Sequence, residues 1–182
     1  MPIYKQADKM KKEIRTKLKN RAITMAQEPE QKRETSTITE IIGFILAAES
    51  YGIESAFVRE VYPLKDYTPL PGVPPYIFGI INVRGQIFPV VDLKKFFNLP
   101  EKGLGELNKV IILRNDQMEF GILADVVNGT QAIAVEDILV APPTITGIGE
   151  KYFKGVTKES LIILNGEKLL TDKSIVVNED VN

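Results

Sequence analysis

The sequence predicts a mainly β protein built from two related units and preceded by a basic helix. Three observations lead to this fold class. Apolar runs rich in Ile, Val, Phe and Tyr recur between turn signals from Ile38 onward, as they do in sandwiches and barrels. A weak internal repeat links the two halves of this β region, and helical spacing is confined to the first segment. A length of 182 residues allows one large domain or two small ones.

The first segment predicts a basic amphipathic helix. Apolar residues recur every three or four positions from Ile3 to Met25, and Pro29 is expected to end the pattern. Residues 1–34 carry ten Lys or Arg and five Asp or Glu, whereas the remainder carries thirteen against nineteen. The predicted organisation is a helix and linker over 1–37, a β domain over 38–177 and a tail over 178–182. The helix could pack on its own domain, dock on a partner or lie on an acidic membrane surface.

Ten strands are predicted in the β region, at about 40–49, 53–62, 77–83, 86–93, 109–114, 118–127, 130–135, 151–157, 160–165 and 174–177. Short helices are predicted at 93–98 and 166–171. Hairpin turns are predicted at Tyr51-Gly52, Arg84-Gly85, Asn115-Asp116 and Asn128-Gly129. The segment Pro63–Pro75 holds five of the eleven prolines, so we expect an unpaired surface connection there. Pro89 predicts an edge or a bulge in its strand.

The internal repeat has two parts. Glu49–Val58 resembles Glu119–Val127, and Gly79–Phe97 echoes Gly155–Leu170, at offsets of about 69 and 76 residues. These echoes predict two related β units that join near Leu99–Asn108. The alternative is that strand-turn-strand sequences resemble one another without a common origin.

Composition argues against an enzyme. The chain has no His and no Cys, which excludes the most common general base, thiolate chemistry and metal sites built on these ligands. Gly103–Gly105 and Gly147–Gly149 lack the spacing of a nucleotide-binding loop. The carboxylates Asp92 and Asp116 are expected to serve as a helix cap and in a turn. We therefore expect no catalytic residues, no metal and no cofactor.

The tip Asn82-Val83-Arg84-Gly85 is a candidate contact site. Gly85 can adopt the left-handed conformation of a tight hairpin turn, which would lift Arg84 to the surface. A guanidinium group there suits a bidentate contact with a partner carboxylate. A surface Arg can equally be merely solvated.

Longer stretches resemble the CheW family of bacterial chemotaxis coupling proteins. The similarity is carried by Tyr51–Val61, by the block Gly79-Ile-Ile-Asn-Val-Arg-Gly-Gln-Ile-Phe-Pro-Val-Val-Asp-Leu, by Phe120–Val127 and by Ile162–Leu170. It covers about residues 38–172. The resemblance implies two intertwined SH3-like five-stranded β-barrels that share a hydrophobic core.

The resemblance also implies a function and a set of sites. It implies a non-catalytic cytoplasmic adaptor, recruited to membrane-associated arrays, that binds the regulatory domain of a histidine kinase and the hairpin tip of methyl-accepting chemoreceptors. The residues carried over by motif are those of one barrel surface and of the groove between barrels, namely Val58, Glu60, Asn82, Arg84, Gly85, Ile122 and Val126.

Other classes of partner are less well supported by the sequence. The β region is acidic and lacks an RNA-binding aromatic signature, so we expect no nucleic acid. No apolar run reaches the roughly 18 residues of a bilayer span, so we expect no membrane insertion. The alternative function is a binding module that holds a purine or another small molecule in the crevice between barrels.

Overall fold

A computed structural model describes residues 37–100, 103–140 and 151–175. The predicted basic helix and the tail lie outside these ranges. The described residues form a mainly β domain with ten strands, β1 (Ile38–Leu46), β2 (Glu49–Glu54), β3 (Val58–Pro63), β4 (Ile77–Val83), β5 (Gln86–Val91), β6 (Lys109–Arg114), β7 (Glu119–Ala124), β8 (Val126–Ala134), β9 (Phe153–Val156) and β10 (Ile162–Leu164). Two short helices, α1 (Leu93–Phe96) and α2 (Gly166–Thr171), follow β5 and β10 as predicted.

The strands form two five-stranded sheets. Sheet A has the order β8-β1-β2-β10-β9, and sheet B has the order β3-β6-β7-β5-β4. Sheet B is one continuous stretch of chain from β3 to β7, whereas sheet A combines strands from before and after that stretch. The predicted join near Leu99–Asn108 is therefore wrong as a boundary between units, because this segment connects two parts of sheet B. The closure of each sheet into a barrel stays a prediction.

The two sheets share one topology. In sheet B, β3 to β7 are the first to fifth strands; in sheet A, we count β8, β9, β10, β1 and β2 as the first to fifth. Across each sheet the strands then lie in the same spatial order, namely first, fourth, fifth, third and second. In each sheet the third and fifth strands pair in parallel, as β10 with β2 and β5 with β7. Gly52 and Gly121, which are matched in the first echo, occupy these two fifth strands. The structure thus supports the internal repeat, in a circularly permuted arrangement.

Gly79 and Gly155, which are matched in the second echo, also occupy equivalent places. Each lies in an edge strand beside a loop that forms a single β-bridge, Thr68 with Ile80 in one sheet and Leu139 with Val156 in the other. A Cβ on Gly79 would lie 2.5 Å from the Thr68 carbonyl oxygen, and one on Gly155 would collide with the Leu139 oxygen. The bridge also corrects the prediction for Pro63–Pro75, since Thr68 exchanges two backbone hydrogen bonds of 2.9 Å with Ile80.

A shared hydrophobic core joins the sheets. Phe44 and Tyr51 from sheet A pack in one cluster with Ile111 and Phe120 from sheet B, and both helices contribute to it. A second cluster draws on sheet B alone, with Ile81, Val83, Phe88, Val90, Val110, Ile112 and Leu123. Each large buried side chain contributes about 1.5–3 kcal/mol of transfer free energy, so the shared cluster is a major source of cohesion between the sheets. The common core implied by the family resemblance is confirmed.

Two predicted turns are wrong because their glycines serve other purposes. Tyr51-Gly52 lies within β2, and the turn falls earlier, where Ala47 has a φ of 58°. Gly52 is needed for close packing, because a Cβ there would lie 2.8 Å from Cδ1 of Ile41. Asn128-Gly129 lies within β8, opposite a break in register between Gly43 and Phe44, and Gly129 has a φ of 98°. A positive φ beside a register shift marks a bulge.

Other predictions have mixed outcomes. The turns at Arg84-Gly85 and Asn115-Asp116 are confirmed, and Asp92 caps α1 through a 3.0 Å bond from the Lys94 amide. The edge or bulge predicted at Pro89 is wrong, because β5 is an interior strand of sheet B in which Pro89 pairs with Ile80. The missing N–H of Pro89 is tolerated because the pairing of β5 with β7 begins only at Val90. The strand predicted at 174–177 is wrong for residues 174 and 175, which form a turn, and its other two residues lie outside the described ranges.

Candidate functional site

The predicted tip is a two-residue hairpin turn between β4 and β5. Val83 pairs with Gln86, and Arg84 and Gly85 have φ values of 52° and 87°. Two positive φ values are what a type I′ turn requires, and this turn matches the twist of the flanking strands. The Oδ1 atom of Asn82 accepts a 2.8 Å hydrogen bond from the Gly85 amide. The side chain of Arg84 is 81% exposed.

Glu60 lies beside this tip although it is distant in sequence. In β3, Val58 pairs with Leu113 and Glu60 with Ile112, which leaves Arg59 as the extra residue of a bulge. The Nη2 atom of Arg84 lies 3.3 Å from Oε2 of Glu60, whose side chain is only 22% exposed. The structure therefore brings together two of the predicted contact residues, the carboxylate of Glu60 and the guanidinium group of Arg84.

Arg59 extends this pair into a strip of charges. Its Nη1 atom donates a 2.6 Å hydrogen bond to Glu119, and its Nε atom lies 3.8 Å from Glu60. The guanidinium group also lies 5.3 Å from the centre of the Phe88 ring, which favours a cation–π contact. Gln86 donates a 3.3 Å hydrogen bond to the other oxygen of Glu119. We call Arg59, Glu60, Arg84, Gln86 and Glu119 the charged strip.

Sequence reasoning found Glu60 and Arg84 but missed the other three members of the charged strip. Glu119 lies 60 residues from Arg59, and no local pattern places them together. The bulge at Arg59 is likewise invisible in the sequence. The strip is assembled only because β3, β5 and β7 belong to one sheet, in which β6 lies between β3 and β7 and β5 pairs with β7.

Two apolar residues adjoin the charged strip along the chain, Val58 next to Arg59 and Ile87 next to Gln86. Ile87 pairs across the strands with Asn82 and is 55% exposed. Val58 is half-buried and packs against the shared core. Exposed apolar surface beside a few ordered charges is typical of protein–protein contact sites, in which apolar area supplies affinity and charges fix orientation.

The two remaining predicted residues lie elsewhere. Ile122 is fully buried in β7, where it pairs with Ile111 on one side and Val91 on the other. It contributes to the core and presents no surface to a partner. Val126 is half-buried at the start of β8, pairs with Ile45 in sheet A and is not part of the charged strip.

Asp125 marks the point where the chain crosses from sheet B to sheet A. It is the single residue between β7 and β8. Its carboxylate forms an ion pair with Lys94, whose side chain is 2% exposed, and accepts a 2.8 Å hydrogen bond from the Ala47 amide. Asn108 donates to the same carboxylate at 3.3 Å. We call Lys94, Asn108 and Asp125 the crossing network.

The titrating groups with the largest pKa displacements serve structural roles. Burial and the carboxylate of Glu49 raise the pKa of Tyr51, whose ring lies in the shared core. Hydrogen bonds from Lys151 and Tyr152 hold the pKa of Asp172 well below its ordinary value, and Asp172 also binds the amide of Ser174. Within the described residues, no group of three or more acidic side chains could hold a metal ion.

A cavity of about 450 Å³ lies in sheet A, away from the charged strip. It is lined by β1 and β8 and by the loop before β10, with Gln131, Asp137 and Glu159 among its polar residues. It is not the crevice between the sheets in which the small-molecule alternative places its ligand. In the part of the chain that the structure describes, no helix combines the length and apolar character needed to cross a bilayer.

Comparisons with known proteins agree with this architecture. The family model for the CheW-like domain matches residues 40–174. The chain is 33% identical over 165 residues to a chemotaxis protein CheW from Treponema pallidum, covering 87% of this chain and 93% of that one. It is 30% identical to the chemotaxis protein CheW of Bacillus subtilis, covering 72% and 85%. A crystal structure of the scaffolding protein TtCheW from Thermoanaerobacter tengcongensis superposes with a TM-score of 0.63 at 34% identity, covering 70% of this chain and 89% of that one.

Proposed function

This chain belongs to the CheW-like domain family of non-catalytic chemotaxis adaptors, and we propose that it joins a histidine kinase to methyl-accepting chemoreceptors by binding both. The observation that carries the proposal is the exposed Arg84 held beside Glu60 at the hairpin tip. We further propose that the protein acts in the cytoplasm and is recruited to receptor arrays at the membrane.

The charged strip is proposed as the contact for the regulatory domain of the kinase. Arg84 points one edge of its guanidinium group toward Glu60, so its remaining N–H donors are available to a partner carboxylate. The turn fixes the backbone beneath Arg84, which lowers the entropy that ordering the site would cost. Ile87, exposed beside the turn, supplies apolar area for the same contact.

We propose that the receptor tip contacts the junction of the two sheets, where the family resemblance implies a groove. Val126 begins β8 directly after the crossing, and the amide of Asp125 donates a 3.0 Å hydrogen bond to Ile45 in β1. Half-buried apolar residues at a junction of two sheets can accept the apolar face of a helical hairpin. The fully buried Ile122 is left out of this contact.

A titration with the purified kinase regulatory domain tests the first contact. We expect Arg84→Glu to weaken binding by about 30-fold or more, because an interfacial arginine at a contact centre commonly contributes at least about 2 kcal/mol. Its thermal melt should match that of the wild type. Lys158→Glu is the matched control, since Lys158 is 72% exposed in a sheet A loop and the charge change is identical. Unchanged affinity of Arg84→Glu would remove Arg84 from the contact.

A charge swap separates the internal ion pair from the partner contact. In the double variant Glu60→Arg with Arg84→Glu, the pair at 3.3 Å can re-form with reversed polarity. If Arg84 contacts the kinase, the swap does not restore affinity. If the swap does restore affinity, the pair acts by shaping the tip. A wild-type protein that binds neither kinase domain nor receptor hairpin at tens of micromolar would refute the adaptor proposal itself.

A further inference from the structure

The crossing network links elements of both sheets through one carboxylate. Oδ2 of Asp125 holds the turn between β1 and β2 in sheet A through the Ala47 amide. Oδ1 holds α1, which follows β5 of sheet B, through Lys94, and the segment before β6 through Asn108. Asn108 also donates to the carbonyl of Ala124 at 3.2 Å. A single partly buried carboxylate therefore contacts sheet A on one side and sheet B on the other.

The other crossing between the sheets is built differently. There the chain passes from β2 to β3 through residues 55–57, and Phe57 packs against α2 so closely that a Cβ on Gly166 would lie 2.5 Å from its ring. The repeat equates Lys94 in α1 with Glu167 in α2, which is exposed. The repeated fold thus permits an apolar crossing, and the polar hub is a specific feature of the second one.

Apolar packing and a buried ion pair differ in what they specify. Apolar contacts in the shared core are non-directional and tolerate small rotations of one sheet against the other. A buried ion pair with further hydrogen bonds adds little net stability but restricts geometry, because any displacement leaves a buried charge without its partner.

We propose that the crossing network sets the angle between sheet A and sheet B and thereby holds the groove beside Val126 in its receptor-binding geometry. The geometric part stands on the contacts of Asp125 alone. The receptor part rests on the proposed function. Lys94 and Asp125 are positioning residues in this proposal, since Lys94 is buried and neither is placed at a partner contact.

Residual dipolar couplings of backbone amides test the geometric part without any partner. Couplings from sheet A and from sheet B are fitted separately to the structure in one alignment medium. We expect a common alignment frame in the wild type and separate frames in the double variant Lys94→Met with Asp125→Asn. The control is Glu54→Gln with Lys154→Met, which removes an ion pair contained within sheet A and should keep the common frame.

A milder variant keeps this test informative if the double variant does not fold. Asn108→Ala removes one hydrogen bond to Asp125 and leaves the ion pair, so a smaller divergence of the two frames is expected. A common frame in every folded variant that disturbs the crossing network would overturn the proposal.

Binding measurements test the receptor part. We expect the double variant to keep its affinity for the kinase regulatory domain, which the charged strip contacts. Its affinity for a receptor hairpin should fall by about fivefold or more, the usual range for coupling between distinct sites. The single variant Lys94→Arg, which keeps both the positive charge and the Asp125 carboxylate, should retain most of the wild-type affinity. Equal affinities of wild type and double variant for both partners would refute the receptor part, whereas a wild type that binds neither partner refutes the proposed function instead.

Discussion

Replacing Arg84 with Asn separates the stability of the hairpin turn from its proposed contact with a partner. Arg84 has a φ of 52°, in the left-handed region that costs roughly 1–2 kcal/mol for most residues. Asn is among the residues that adopt this region most readily and is preferred at the first position of type I′ turns. The substitution therefore relieves backbone strain without changing the turn.

The stability lost with the Arg84–Glu60 ion pair is smaller than the backbone strain that the substitution relieves. The Arg84–Glu60 ion pair spans 3.3 Å, but the Arg84 side chain is 81% exposed, so the pair contributes at the low end of about 0–1 kcal/mol. We expect Arg84→Asn to raise the free energy of unfolding by about 0.5–1 kcal/mol. For a chain of this size, that corresponds to a Tm increase of about 1–4 °C.

Urea unfolding and a kinase-domain titration, done on the same preparation, measure both effects. We expect higher stability together with weaker binding. Gly85→Ala is the control for the turn, because no atom lies within 4 Å of the added Cβ and only the φ of 87° penalises it, by about 1 kcal/mol. If Arg84→Asn is destabilised by more than about 1 kcal/mol, the ion pair outweighs the backbone strain and the reasoning is wrong.

Three further predictions follow from contacts outside the tip. Gly79→Ala and Gly155→Ala should each destabilise the fold by about 1–3 kcal/mol in urea, since each added Cβ meets a backbone carbonyl of a bridged loop; a neutral result would show that these loops yield freely. Asp172 has a depressed pKa in the folded state, so its contribution to stability is present above about pH 4 and is lost as the pH falls further. The difference in unfolding free energy between wild type and Asp172→Asn should therefore be smaller at about pH 2 than at about pH 6. An equal difference at both pH values would contradict this. Lys94→Met alone should cost about 1–3 kcal/mol, because it removes the charged partner of Asp125 but leaves the hydrogen bonds from Ala47 and Asn108, whereas adding Asp125→Asn should recover much of that loss in the same unfolding assay.

Local sequence signals predicted the elements whose causes are local. The Arg84-Gly85 turn, the Asp92 cap and both short helices depend on residues within a few positions, and each was found. The turns predicted at Gly52 and Gly129 are wrong because the role of a glycine depends on residues that are distant in sequence. A glycine can serve a turn, a bulge or a close approach of side chains, and only the neighbouring strands decide among these uses.

Features that depend on strand pairing could not be predicted from the sequence. The repeat revealed two related units, but the circular permutation appears only when β6 and β7 are seen to pair with β3 and β5. The same holds for Arg59 with Glu119, and for Lys94 with Asp125, which lie 60 and 31 residues apart. The sequence thus predicted two members of the charged strip, Glu60 and Arg84, and none of the contacts of the crossing network.

The continuous course of sheet B has a consequence for the order in which the protein folds during synthesis. All five strands of sheet B have left the ribosome once β7 emerges, so its pairings can be completed while the rest of the chain is still being made. The β1–β2 hairpin cannot complete its pairing until β8 has been synthesised, because Ile41 and its partner Gln131 are separated by 90 positions. Such long-range pairing is slow to form, so the nascent hairpin exposes apolar residues such as Phe44 until late in translation. A chaperone that binds nascent chains should therefore protect the β1–β2 hairpin before any other part of the domain.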